Sequence, residues 1–142
     1  MPVRQIALDP ADKVLALMRV PFFEGCPHRE LEEIATGALV VGYEEGDVIV
    51  PEGEDGLGFY IVLSGVVKVL RKGRVVSSLG PGQFFGEISL IERGPRTATV
   101  VAGGTTTCLG ILRSFFRPML VRNPRVALRI LDTEVERLGT SG

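Results

Sequence analysis

The chain has 142 residues, 45% of them hydrophobic and 23% charged, with a formal net charge of -1. That composition fits one domain with one real core and excludes a disordered polymer. The near-neutral balance excludes a protein held to nucleic acid by bulk positive charge, although a small anion needs only a placed cation or two. In chain order, the opening MPVRQIALDPADK carries no signal-peptide apolar region, and no apolar run approaches the ~20 residues that span a bilayer, so a cytoplasmic setting is expected. PADKVLALMRV reads as a helix with Asp12 near its N-terminus and Val14, Leu15, Leu17 and Met18 as apolar positions. VPFFEGCP is a break. HRELEEIATGAL reads as a second helix, with Leu31, Ile34 and Ala35 at helical spacing and Gly37 at its end.

The texture then changes. From Leu39 to Leu112 short β-branched runs follow one another: LVVGY, DVIV, FYIVL, VVKVL, VVSSL, TATVVA and TTTCLGIL, with Gly46, Gly53, Gly56, Gly65, Gly73, Gly80 and Gly82 between them. Strands at this spacing with turn signals predict a small sandwich or barrel. RKGR around Gly73 is a hairpin turn. The end turns helical again, in RSFFRPMLVRN, interrupted by Pro118, and in RVALRILDTEVERLG, with Asn123 as N-cap and Pro124 at the first position. Phe115, Phe116 and Met119 have the spacing of a simple core, and a lid would need the same apolar contact. Leu128, Leu131, Val135 and Leu138 form one stripe, which either packs on the barrel or makes a short dimer seam. The single histidine, His28, and the widely separated Cys26 and Cys108 form no metal-ligand set, so two reduced thiols are expected. No nucleophile–base pair is visible, and no catalytic residue is assigned.

One segment asks for a different explanation. After VVSSL comes GPGQFFGEISLIERGPRTATV, with Gly86 and Glu87 ahead of a short apolar stretch and Arg96 behind Gly94-Pro95. Gly86 permits a tight turn. EISLIE is long enough for a short helix whose exposed N-terminal amides suit a phosphate. Arg96 can return its guanidinium to the same phosphate. The carboxylate of Glu87 would repel a phosphate, so it is better used accepting a hydrogen bond from a sugar hydroxyl. An ordinary surface ion pair between Glu87 and Arg96 is the plainer alternative.

FGEISLIERGPRTATV resembles the phosphate-binding cassette of the cyclic nucleotide-binding domain family, which includes kinase regulatory subunits, bacterial cAMP receptor transcription factors and cyclic-nucleotide-gated channels. GDVIVPEGEDGLGFYIVLSGVVKV, from Gly46 to Val69, resembles that family's glycine-spaced β-roll, although Leu57 to Phe59 lacks the acidic and amide residues often found before Phe-Tyr. The resemblance implies an α+β, mainly β fold: an eight-stranded antiparallel β-roll (a jelly-roll-like barrel) flanked by N-terminal helices and two C-terminal helices, with a short cassette helix. A single domain is expected over 1–142, with a helical preamble at about 10–37, the roll at about 38–112 and C-terminal helices at about 113–138.

Carried over by position, the resemblance gives Glu87 the ribose 2'-hydroxyl and Arg96 the cyclic phosphate. Backbone amides of Ile88, Ser89, Thr97 and Ala98 would donate to phosphate oxygens, and Gly86 lets the sugar approach. Thr97 holds the position whose hydroxyl can meet a guanine amino group. Leu90 would contact the C-terminal helices, with Phe115 and Leu131 as lid positions. The expected function is a non-enzymatic receptor for cAMP, with cGMP as a second ligand, needing no metal or other cofactor. Its output would be an unidentified effector protein, without direct nucleic-acid binding or a membrane span, from a monomer or weak homodimer. The alternatives are a structural or interaction module of the same fold that no longer binds nucleotide, or the regulatory part of a larger effector. A cupin-type barrel enzyme would need more histidine than the chain has.

Overall fold

The structure, a computed structural model, describes residues 4–50, 58–86, 98–129 and 131–132. Helix α1 spans Pro10–Met18 and α2 spans His28–Thr36, with a single 3-10 turn at Pro21–Phe23 between them. Helix α1 starts where the sequence says it should. Pro10 takes a first-turn position, where its missing N–H costs nothing, and Asp12 lies in the first turn. Only part of its apolar stretch turns inward: Val14 and Leu17 are buried, while Leu15 and Met18 are exposed. Lys13 Nζ donates to the carbonyl of Ala38 at 2.8 Å, tying α1 to the start of the sheet.

Nine strands are present among the described residues: β1 Arg4–Ile6, β2 Ala38–Tyr43, β3 Val48–Val50, β4 Gly58–Ser64, β5 Val67–Arg71, β6 Arg74–Leu79, β7 Phe84–Phe85, β8 Thr99–Ala102 and β9 Thr106–Leu112. They form a five-stranded sheet, β1-β2-β9-β4-β7, and a four-stranded sheet, β3-β8-β5-β6. Every pairing is antiparallel. Strands β2 to β9 are the eight of the expected roll. Strand β1 is an addition, a three-residue strip paired with Gly42 to Val40 of β2. Strand β7 has only two residues, hidden in a glycine-rich connection.

The five-stranded sheet separates two cores. Successive side chains of a strand point to opposite faces. On β4, Phe59 and Ile61 join Leu17, Phe23, Ile34 and Met119 on the helical side. Their neighbours Tyr60 and Val62 join Phe85, Val100 and Cys108 inside the roll. The rings follow the same division: Phe59 meets Phe84 at 5.4 Å, and Tyr60 stacks on Phe85 at 5.0 Å. A strand buried on both faces has no polar alternation to show, which is why FYIVL is apolar throughout. Complete burial of Phe59 is worth roughly 1.5–3 kcal/mol.

After β9 the chain enters α3, Arg113–Arg122. Pro118 does not interrupt this helix; it lies inside it. Proline removes one intrahelical bond, the one its N–H would make to Ser114. Ser114 is exposed, so water can satisfy its carbonyl. Asn123 ends α3, and its side chain turns back instead of capping the next stretch of helix, with Nδ2 donating to Met119 O at 3.0 Å. Helical backbone resumes at 124–129, and the residue it buries is Val126. Leu128 and Leu131, the described part of the predicted stripe, are 61% and 44% exposed, so neither packs on the barrel here. Val135 and Leu138 lie outside the described residues.

Both cysteines are free. Burial pushes the Cys108 thiol up to about 12 and also raises that of Cys26, where Glu30 adds to the effect and Arg129 and Arg125 oppose it. Raised values keep both thiols neutral at pH 7, and the thiolate is the reactive form. A thiol-labelling time course on the native protein is therefore expected to modify the half-buried Cys26 slowly. Cys108, which has no exposed surface, should react only after denaturant is added. Rapid modification of both in the native state would contradict this packing.

Candidate functional site

The segment singled out in the sequence is held at its two ends by different sheets. Strand β7, at the edge of the five-stranded sheet, delivers the chain to Gly86. Gly86 has φ +88°, a left-handed conformation that a side chain would strain. The chain returns at Ala98, half-buried, directly before β8 in the four-stranded sheet. Glu87, Ile88, Ser89, Leu90, Arg96 and Thr97 lie outside the described residues.

Both anchors grow from the core inside the roll. Phe85, one residue before Gly86, is buried under Tyr60, and Val100 and Ala102 of β8 are buried in the same cluster. Tyr43 closes this cluster near Cys108. Burial raises its phenol well above the ordinary tyrosine value, with Cys108, Tyr60 and Asp47 adding to the effect, so it stays neutral. Asp47 is itself engaged, its Oδ2 accepting from the Glu44 amide at 2.8 Å. The described ends of the segment thus rise from a mainly apolar cluster. Among the described residues no group of three or more His, Cys, Asp or Glu could hold a metal ion. A cleft of about 190 Å³ between the end of α1 and the turn at Pro81-Gly82 includes neither Gly86 nor Ala98.

The two described lid positions are not brought together. Phe115 is half-buried against the helical core, its ring over Gly37 so closely that a Cβ there would lie 2.4 Å from it. Leu131 is exposed. Met119, 1% exposed, belongs to that helical core as well, which agrees with the simple-core reading of the segment.

Sequence reasoning missed three arginines. Arg122 pairs with Glu33 of α2. Arg125 Nη1 donates to Gly25 O at 3.3 Å, and Arg129 Nη1 donates to Glu24 O. They strap the C-terminal helical segment to the N-terminal helices. Each exposed contact is weak alone, near 0–1 kcal/mol for an ion pair. The four-residue spacing of Arg125 and Arg129 was the available signal; two of the acceptors are backbone carbonyls, which leave no mark in the sequence.

The model of the family described as "Cyclic nucleotide-binding domain" matches residues 40–123, which enclose this whole segment. The chain belongs to the cyclic nucleotide-binding domain family. It is 36% identical over 136 residues to the cGMP-dependent protein kinase of Plasmodium berghei, a match that covers 92% of the chain and 16% of the kinase. Among solved structures it is similar to the regulatory subunit of a cAMP-independent protein kinase A from Trypanosoma brucei, with 27% identity and a TM-score of 0.80 over 87% of this chain and 46% of that one. The regulatory domain of Toxoplasma gondii PKA with cAMP aligns at 25% identity and a TM-score of 0.79, over 90% of this chain and 50% of that one. The chain therefore spans half or less of each relative, and the kinase activity in the first name belongs to a much longer protein. No helix among the described residues is long and apolar enough to cross a membrane.

Proposed function

We propose that this chain is a cyclic nucleotide receptor without catalytic activity of its own, in which nucleotide binding repositions the C-terminal helices and so signals to a partner protein. The observation that carries the reading is the family match enclosing a segment that opens on left-handed Gly86 and contains Glu87 and Arg96. In this reading Arg96 pairs with the cyclic phosphate and Glu87 accepts from the ribose 2'-hydroxyl. Amides of Ile88, Ser89, Thr97 and Ala98 donate to the phosphate oxygens. cAMP is the main ligand, supported by the relative solved with it, and cGMP a second, supported by the kinase relative. Calorimetric titration with each nucleotide tests this: saturable binding is expected for cAMP and measurable binding for cGMP, and no heat from either would overturn it.

A second reading has one observation in its favour. The Trypanosoma brucei relative serves a kinase described as cAMP-independent, so this fold does not by itself bring a cAMP response. A module that has lost nucleotide is the form that reading takes here, and the same titration separates the two.

The switch makes its own prediction. In this reading Leu90 would be the cassette's apolar contact with the terminal segment, which carries Phe115, Met119, Leu128 and Leu131. A packed apolar contact cannot stretch without opening a void, so the helices must repack when the cassette moves. The ligand biases that equilibrium only through its difference in affinity between the two forms. Nucleotide is expected to protect amides across 113–138 from hydrogen exchange. In Leu90→Ala binding should stay within roughly tenfold, ~1.4 kcal/mol, while most of the added protection disappears. Wild-type helices indifferent to ligand would end the lid mechanism and leave the pocket assignment standing.

A further inference from the structure

The β5–β6 hairpin breaks local rules that the rest of the fold keeps. Arg71 and Arg74 are direct cross-strand partners, like charges placed opposite each other, an arrangement that weakens a hairpin. Between them Lys72 has φ +50°, the one non-glycine residue with positive φ among those described. Lys68, also exposed, lies three residues before Arg71 on β5 and so on the other face of the sheet. None of these four cations is in an ion pair among the described residues. From Gly56 to Gly86 the chain contains no aspartate or glutamate.

Beside this tip lies a free edge. Strand β6 ends the four-stranded sheet, and among the described residues its outer side pairs with nothing. Every residue from Arg74 to Ser78 is exposed. The register skips Val76, a bulge that leaves Val75 and Val76 exposed at 55% and 56% and a straight stretch at Ser77 to Leu79. Open edges are normally blunted by charge along the strand. Here positions 75–79 carry none, and the cations gather at one end.

We propose that this hairpin is a docking surface for an extended acidic segment of a partner protein. The segment adds a strand to β6 at Ser77–Leu79, covers Val75 and Val76, and lays carboxylates against Arg71, Lys72 and Arg74. An acidic partner turns the Arg71–Arg74 repulsion into attraction, which gives the otherwise unfavourable pair a purpose. Two copies joined antiparallel through this edge would set each cationic tip beside the uncharged end of the other β6, where no carboxylate relieves the Arg71–Arg74 repulsion, so a second copy is not the occupant. A lipid surface could use the cations and valines but not the unpaired backbone. The proposal does not depend on nucleotide binding.

The test uses the whole chain and a short fluorescein-labelled peptide of alternating Glu and Val residues, followed by anisotropy and by amide NMR shifts. Saturable binding is expected, with shifts centred on residues 71–79. It should disappear when alternate peptide amides are N-methylated or when Lys replaces Glu. It should weaken about tenfold in R71Q/R74Q, which removes both arginine charges, and decline with added salt. That variant should melt at or above the wild-type temperature, because a like-charge pair is relieved. If it fails to fold, the N-methylated and Lys-bearing peptides still decide on the wild type. The proposal is overturned by absence of saturable binding or by equal binding of the N-methylated peptide. Capture by phosphatidylserine vesicles without peptide binding would also overturn it in favour of a membrane, and concentration-dependent dimerisation through 74–79 in favour of self-association.

Discussion

Arg96→Ala is expected to weaken cyclic nucleotide binding by at least about tenfold while the domain melts as the wild type does. Truncating one partner of a desolvated charge pair costs about 2–5 kcal/mol, much of it the penalty for leaving the other charge unpaired. The described ends of the Arg96 segment emerge from the core inside the roll, beside buried Phe85 and Val100. The described cores are made of hydrophobic side chains, to which a guanidinium adds little, so stability should change little. Arg96→Lys should recover only part of the loss, since an ammonium keeps the charge but not the planar two-point contact. Titration of the three proteins beside a thermal melt checks this. Unchanged affinity in the alanine variant would remove the assignment of Arg96 to the phosphate.

Gly65→Ala is expected to cost ~3–4 kcal/mol of stability, large for the addition of one methyl group. Gly65 follows β4 with φ +85°, and a Cβ there would lie 2.4 Å from the backbone carbonyl oxygen of Thr105 and 2.8 Å from the Cα of Thr106. The strain of the left-handed backbone and the clash act together, and neither obstacle is a side-chain tip that can swing aside. Thr106 has little freedom, being buried, with its hydroxyl donating to Val66 O or Gly104 O at 3.0 and 2.9 Å. Urea denaturation of the variant measures the loss. A change below about 1 kcal/mol would show that the crossing of β4 and β9 is looser than these distances imply.

Seven strands of the roll were legible because their β-branched runs stand between glycines. For β4, burial on both sides makes the run continuous. Phe84-Phe85 was not legible: two residues between Gln83 and Gly86 have no period to detect, and only pairing with Tyr60 and Ile61 makes them a strand. Arg4–Ile6 gave no signal either, because Gln5 is exposed, Ile6 is only half-buried, and the strand's pairing depends on the edge of β2. In α1 the apolar stretch is wider than the face that packs, so Leu15 and Met18, apolar positions of the helix in sequence, face solvent in the fold. Pro118 misled in the opposite direction, because one lost backbone bond at an exposed turn does not stop a helix whose Met119 is already buried. At the candidate site the motif named the residues, and the fold supplies what the motif lacked: the two sheets that hold its ends.

The helical core joins parts of the chain that are far apart in time as well as in sequence. Leu17, Phe23 and Ile34 come from the beginning, while Met119 and Val126 come from the end, and the Arg125 contact with Gly25 spans 100 positions. A ribosome adding roughly 5–20 residues per second needs on the order of 5–20 s to supply that interval. Through it the first helices gain cover in stages, from Phe59 and Ile61 of β4, then Leu109 and Ile111 of β9, and from Met119 and Val126 last, and closing so long a loop favours slow, concerted consolidation over stepwise growth from the N-terminus. The nascent domain therefore stays exposed to aggregation until Met119 and Val126 have been released and can close the helical core.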